Sequence, residues 1–102
     1  MADYSPEHGP WLRVVRSYLG LSQKQCAEML NVSLRSLQSM ESGRAEVPSG
    51  IISDMTGYVL TMEKLAGRYA VSQTANVRGR SVLEVRAIGQ ALRMNPSLRI
   101  QP

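Results

Sequence analysis

Between Ser22 and Gly43 two helix-forming stretches are separated by only three residues, Asn31-Val32-Ser33, and this interruption limits the fold more than anything else in the chain. So short a link makes consecutive helices cross at a steep angle. Asn31 suits the turn, because Asn is the non-glycine residue that most readily takes left-handed backbone. Ser22, followed three residues later by Gln25, makes a capping-box pattern that opens a helix over about 22–30, with Cys26, Met29 and Leu30 turned inward. Ser33 caps the next helix, whose apolar positions are Leu37 and Met40 and which runs to Ser42-Gly43. Ala27 is small, so the two helices can approach closely.

The flanking sequence supplies more helices. Pro10 suits a first helical position, and Trp11, Val14, Val15, Tyr18 and Leu19 recur at spacings of three and four, predicting a helix over 10–19 that Gly20 ends. Residues 1–9 show no apolar periodicity and read as an N-terminal arm. After Pro48-Ser49 the stripe Ile52, Met55, Val59, Met62, Ala66 and Tyr69 predicts a long helix. Ser, Gln, Thr, Asn, Gly and Arg dominate 72–81, which reads as a connector. Ser81 with Glu84 repeats the capping box, and Val82, Val85, Ile88, Gly89 and Leu92 fit a last amphipathic helix ending before Asn95-Pro96. The expectation is an all-α protein: an arm over 1–9, a bundle over 10–71, a basic connector over 72–81 and a helical dimerisation or interaction segment over 82–102.

Charge and composition remove several classes of function. Residues up to Gly67 carry a net charge of −1, whereas Arg68–Pro102 carries +5, with Glu84 its lone acid. That asymmetry points to a polyanion near the C-terminal third, or to no more than a soluble basic surface. No apolar run of membrane-spanning length and no secretory signal occurs, so no membrane partner and a cytoplasmic location are expected. One Cys and one His cannot fill a zinc site, so no metal is expected. Cys26 lies on an apolar helix face and reads as core, the six Met read as core or dimer filler, and His8 has no visible partner. No phosphate-binding loop, dinucleotide fingerprint or nucleophile elbow is present, so neither an enzyme nor a cofactor is expected.

Taken together, Leu21-Ser22-Gln23, Ala27, Asn31, Val32-Ser33 and Glu41-Ser42-Gly43, followed by Arg44 and Pro48, resemble the Cro/C1-type (XRE-like) helix-turn-helix family over about Leu12–Pro48. Asn31 stands where that family usually has Gly, a change that φ > 0 still tolerates. Val32-Ser33, Arg35-Ser36, Gln38, Glu41-Ser42-Gly43-Arg44 and Val47-Pro48 also resemble a subgroup of small regulators from phages and mobile elements, including anti-CRISPR-associated repressors. The resemblance implies a lambda-repressor-like fold, double-stranded DNA as partner, and a homodimer that represses transcription.

On that basis Leu34, Arg35, Gln38 and Ser39 face outward on the third helix toward DNA bases. Leu34 contacts a thymine methyl, or packs against a partner or against nothing. Arg35 has the planar fork that reads guanine O6 and N7, with a solvated side chain or a phosphate contact as the plainer reading. Gln23, whose family counterpart braces the DNA backbone, is expected at phosphates with Ser33, Ser36 and Arg44. Arg78 and Arg80 flank Gly79 in the connector and either follow the DNA backbone or decorate a linker. Arg16 and Glu41 match a structural ion pair of related repressors.

Val59, Met62, Tyr69, Val82, Val85, Ile88 and Leu92 are expected to form a helical dimer interface, unless the last helix folds back to enlarge one subunit's core. A second class of function is an antitoxin-like module whose C-terminal third binds a protein partner. A third is an accessory factor that bends DNA.

Overall fold

The computed structural model describes residues 8–101. Its elements are, in chain order, α1 (His8–Tyr18), α2 (Gln23–Leu30), α3 (Leu34–Glu41), α4 (Ser49–Ala70), β1 (Thr74–Asn76), α5 (Val82–Met94) and β2 (Arg99–Gln101). The chain is mostly helical, as expected, but the two short strands depart from a purely α-helical reading. It divides into two units, one ending at Gly57 and one beginning at Tyr58, so the division falls within α4.

In the first unit the local signals act as their chemistry dictates. Ser22 caps α2 in a complete capping box, its hydroxyl accepting from the Gln25 N–H while the Gln25 side chain accepts from the Ser22 N–H. Asn31 closes α2 in the left-handed region at φ 57° and ψ 43°. Its N–H donates back to the Ala27 and Glu28 carbonyls, satisfying groups that the helix end would otherwise leave open. Ser33 then caps α3 by accepting from the Ser36 N–H at 3.0 Å. Leu12, Leu19, Cys26, Leu37 and Met55 are fully buried, and the Cys26 thiol lies 3.8 Å from the Met55 sulfur.

The start of α1 corrects the expected arm. His8 and Gly9 belong to the helix, which places Pro10 later in the first turn rather than at its first position. The remaining expected arm residues, 1–7, lie outside the described residues. Gly9 is buried, and a Cβ there would stand 2.6 Å from the Met40 carbonyl oxygen and 3.0 Å from that of Glu41. The missing side chain lets the first turn of α1 lie directly on the C-terminal turn of α3.

The second unit holds a β-α-β element. β1 and β2 pair in parallel with Thr74 beside Arg99, Ala75 beside Ile100 and Asn76 beside Gln101, and α5 is the crossover between them. Ser81 caps α5 in a second complete capping box with Glu84. Ala75, Ile88, Ala91 and Leu98 form the core, with Tyr69, Ala70, Val77 and Leu92 packed against it. Asn95 ties the end of α5 to the end of α4 by donating to the Ala70 carbonyl at 2.9 Å.

Of the expected dimer stripe, Met62 and Ile88 are buried within the chain itself. α5 packs its apolar face against Ala75 and Leu98 of the same unit, so Ile88 is 2% exposed and Tyr69 and Leu92 lie against the same cluster. Met62 is fully buried, Val59 and Val82 are half-buried, and Val85 alone of the seven is exposed. The fold-back alternative describes α5. The region expected to be a plain connector contains β1, and the C-terminal segment contains β2 as well as its helix.

Gly9→Ala should destabilise the protein by about 1–3 kcal/mol, the usual cost of an overpacked contact. Gly57→Ala, mid-helix in α4 with nothing within 4 Å of the added Cβ, should instead stabilise by about 0.5–1 kcal/mol. Denaturant melts of both variants against the parent check the pair.

Candidate nucleic-acid interface

The two caps and the left-handed Asn31 fix where α2 ends and α3 begins, and so fix which side chains of α3 reach solvent. Leu37 and Met40 are buried, whereas Leu34, Arg35, Ser36 and Gln38 are exposed and Ser39 is half-buried. Leu34, at 41% exposure, is a large apolar side chain in water at the first position of the helix. Ser33 and Ser36 are occupied locally: besides capping, the Ser33 hydroxyl donates to that of Ser36 at 2.9 Å.

Behind this surface lies a connected polar system. Arg16 grips Glu41 with two groups, Nε to Oε2 at 2.6 Å and Nη2 to Oε1 at 3.2 Å, and its Nη1 donates to the Leu21 carbonyl at 3.0 Å. The pair is largely sheltered, with side-chain exposures of 14% and 5%. The hydrogen bond to Glu41 holds the Arg16 guanidinium above its ordinary pKa, against the opposing pull of burial. Gln23 donates its Nε2 to Glu41 Oε1 at 3.1 Å and accepts at Oε1 from Gln38 Nε2 at 3.3 Å. An ionised carboxylate only accepts, so Gln23 must turn its amide nitrogen toward Glu41 and its oxygen toward Gln38. The direction of Gln38 is thereby set from the far side of the motif.

Two concavities border α3. One of about 530 Å³ is lined by Ser33, Arg35, Ser36, Ser39, Ala45 and Glu46 among others. A polar one of about 500 Å³ is lined by Arg13, Arg16, Gln23, Gln38, Glu41 and Ser42. Arg13, which the sequence does not single out, is exposed and lines this concavity beside Gln23 and Gln38. Its signal is the three-residue spacing from Arg16, which puts both on one face of α1. Arg44 is exposed beyond α3, its own N–H donating to the Ser39 carbonyl at 2.9 Å.

The structure brings Gln23, Ser33, Leu34, Arg35, Ser36, Gln38, Ser39 and Arg44 into one unit, while Arg78 and Arg80 belong to the other. Those two arginines differ. Arg78 is exposed, but the guanidinium of Arg80 is tied down, with Nη1 on Glu84 Oε2 at 3.2 Å and Nε donating to the Asn76 carbonyl at 3.1 Å. Hydrogen bonds from Ser81, that of its backbone first, hold the Glu84 carboxyl below its ordinary pKa and keep it charged for Arg80. Arg80 therefore braces the start of α5.

Among the described residues no group of three or more His, Cys, Asp or Glu could hold a metal ion, and no helix is long and apolar enough to cross a membrane. Compared with protein-family models, curated proteins and solved structures, the chain gives no match.

Removing Glu41 alone, as in Glu41→Ala, leaves a sheltered guanidinium without its partner and should cost about 3–5 kcal/mol. The double replacement Arg16→Met with Glu41→Leu should recover most of that loss. Chemical denaturation of the single and double variants gives both values. Burial pushes the Cys26 thiol up to about 11, so at neutral pH it should react with thiol reagents only as fast as the protein unfolds. A labelling time course with and without denaturant tests this.

Proposed function

We propose that the chain is a sequence-specific double-stranded-DNA-binding transcriptional regulator that acts as a pair of copies on an inverted repeat and represses by covering a promoter. The observation that carries this reading is the exposed row Leu34, Arg35 and Gln38 on a helix whose start, end and inner face are all fixed by named contacts. A helix of this kind enters the major groove with its exposed side, where Arg35 has the geometry for guanine and Leu34 meets a thymine methyl. Gln23, Ser33, Ser36 and Arg44 sit around it where phosphates would run.

Hydrogen bonding refines these roles. Gln23 braces Glu41 and Gln38 as well as standing at the entry to α2, so it links the backbone-facing and base-facing sides of the motif. Exposed Arg35 is separate from that relay and forms no ion pair among the described residues. The folded β-α-β element, with a core of its own, favours the regulator over a tail that becomes ordered only on wrapping a protein partner.

In vitro selection from a random DNA library tests the proposal, and the expected result is an enriched inverted repeat with half-site centres about 10 base pairs apart. On the enriched site Arg35→Ala should lose about 1–3 kcal/mol and relax the preference at one base pair of each half-site. Arg44→Ala should weaken specific and random DNA alike and flatten the salt dependence by about one unit of slope. No enrichment, or equal losses on both DNAs for Arg35→Ala, would overturn the respective assignments.

A further inference from the structure

The β1–β2 sheet has one edge of β2 with no neighbour among the described residues. The Arg99 N–H donates to the Gln73 carbonyl at 3.1 Å and the Val77 N–H donates to the Gln101 carbonyl at 3.0 Å, so Arg99 and Gln101 turn their main-chain groups toward β1. Successive residues of a strand address opposite edges, so the N–H and C=O of Ile100 face outward. Parallel strands normally lie inside larger sheets, and two strands alone are a marginal sheet.

The side chains repeat the point. Ala75 and Ile100 stand beside each other in the register and therefore on one face of the sheet. Ala75 is 4% exposed within the core, yet Ile100 is 40% exposed, because no described residue pairs with β2 on its outer side. One more strand there would pair the outward amide and carbonyl and finish the burial of Ile100.

We propose that the occupant is a second copy of this chain, its β2 lying antiparallel to the first about a two-fold axis through Ile100, so that two parallel pairs join into one four-stranded mixed sheet. The strand is complementary to itself in this register. Each Ile100 donates its N–H to the other copy's Ile100 carbonyl, closing both bonds at once, and the two β-branched side chains stand side by side. Arg99 falls opposite Gln101 of the other copy, so the two like charges are not opposed and each guanidinium faces an amide that can accept from it. Such an interface uses the same patch on both copies, as a two-fold dimer requires.

Two properties follow. A three-residue strand covers far less than the roughly 1,200 Å² of a stable interface, so the pair is weak in free solution. Each second unit also carries a net +5, from Lys64, Arg68, Arg78, Arg80, Arg86, Arg93 and Arg99 against Glu63 and Glu84, so the copies repel at low salt and associate better when salt screens them. This pairing does not depend on the chain binding DNA.

Sedimentation equilibrium of the full chain over tens to hundreds of micromolar, at low and at moderate salt, tests the proposal. The expected result is a mass rising from 11.3 kDa toward twice that value, more steeply at moderate salt. Ile100→Pro removes the outward N–H and leaves those of Arg99 and Gln101 in place; with helical content unchanged, it should raise the dissociation constant at least tenfold. Ile100→Cys should give a disulfide-linked dimer on mild oxidation, since native Cys26 is buried and does not compete. That measurement stands even if Ile100→Pro fails to fold. A monomer throughout with no cross-link, or association that Ile100→Pro leaves unchanged in a folded protein, would overturn the proposal.

Discussion

The Arg16–Glu41 pair is the contact on which the geometry of the first unit rests. It spans twenty-five residues, joining the end of α1 to the end of α3, and Arg16 also holds the Leu21 carbonyl at the turn into α2. A pair this sheltered gains little in net stability over apolar residues of similar shape, because both charges lose water to form it. What it supplies is direction. Glu41 Oε1 accepts from Arg16 Nη2 and also from Gln23, which in turn sets Gln38. A polar side chain on the exposed helix is thus aligned by a charge pair on the opposite side of the motif.

The close contact at Gly9 serves the same geometry from the other direction. The ion pair sets where α1 and α3 meet near their C-terminal ends, and the absent Cβ sets how near the start of α1 comes to the last carbonyls of α3. Side-chain packing alone would leave helices about 8–10 Å apart with some freedom to slide. A specific charge contact together with a backbone contact removes that freedom.

What could be read from the sequence follows from the range of each signal. Both capping boxes, the left-handed Asn31 and the inward pair Leu37 and Met40 are decided within a few residues, and the structure places all of them as read. The apolar stripe of α5 was visible too, but periodicity says that a face is buried and not by what. Ile88 is buried, and Leu92 partly buried, in a cluster with Ala75, Ala91 and Leu98 of the same chain. β1 and β2 escaped notice because three residues are too few to show alternation, and their partners lie twenty-five residues apart. Gly9 looked like part of a loop because the residue it accommodates, Met40, is distant in sequence. Arg13 was passed over for a similar reason, since its neighbours Gln23 and Gln38 belong to other helices.

The long separation of the paired strands has a kinetic side. Helix α5 forms through hydrogen bonds between neighbours in the chain, whereas Thr74 and Arg99 meet only after α5 has shortened the path between them. Closing that loop costs chain entropy before any ladder bond repays it, so the sheet is the last element of its unit to form. Its few bonds at a solvent-exposed edge also make it the first to open, and the β2 edge therefore exists only in molecules whose second unit has folded completely.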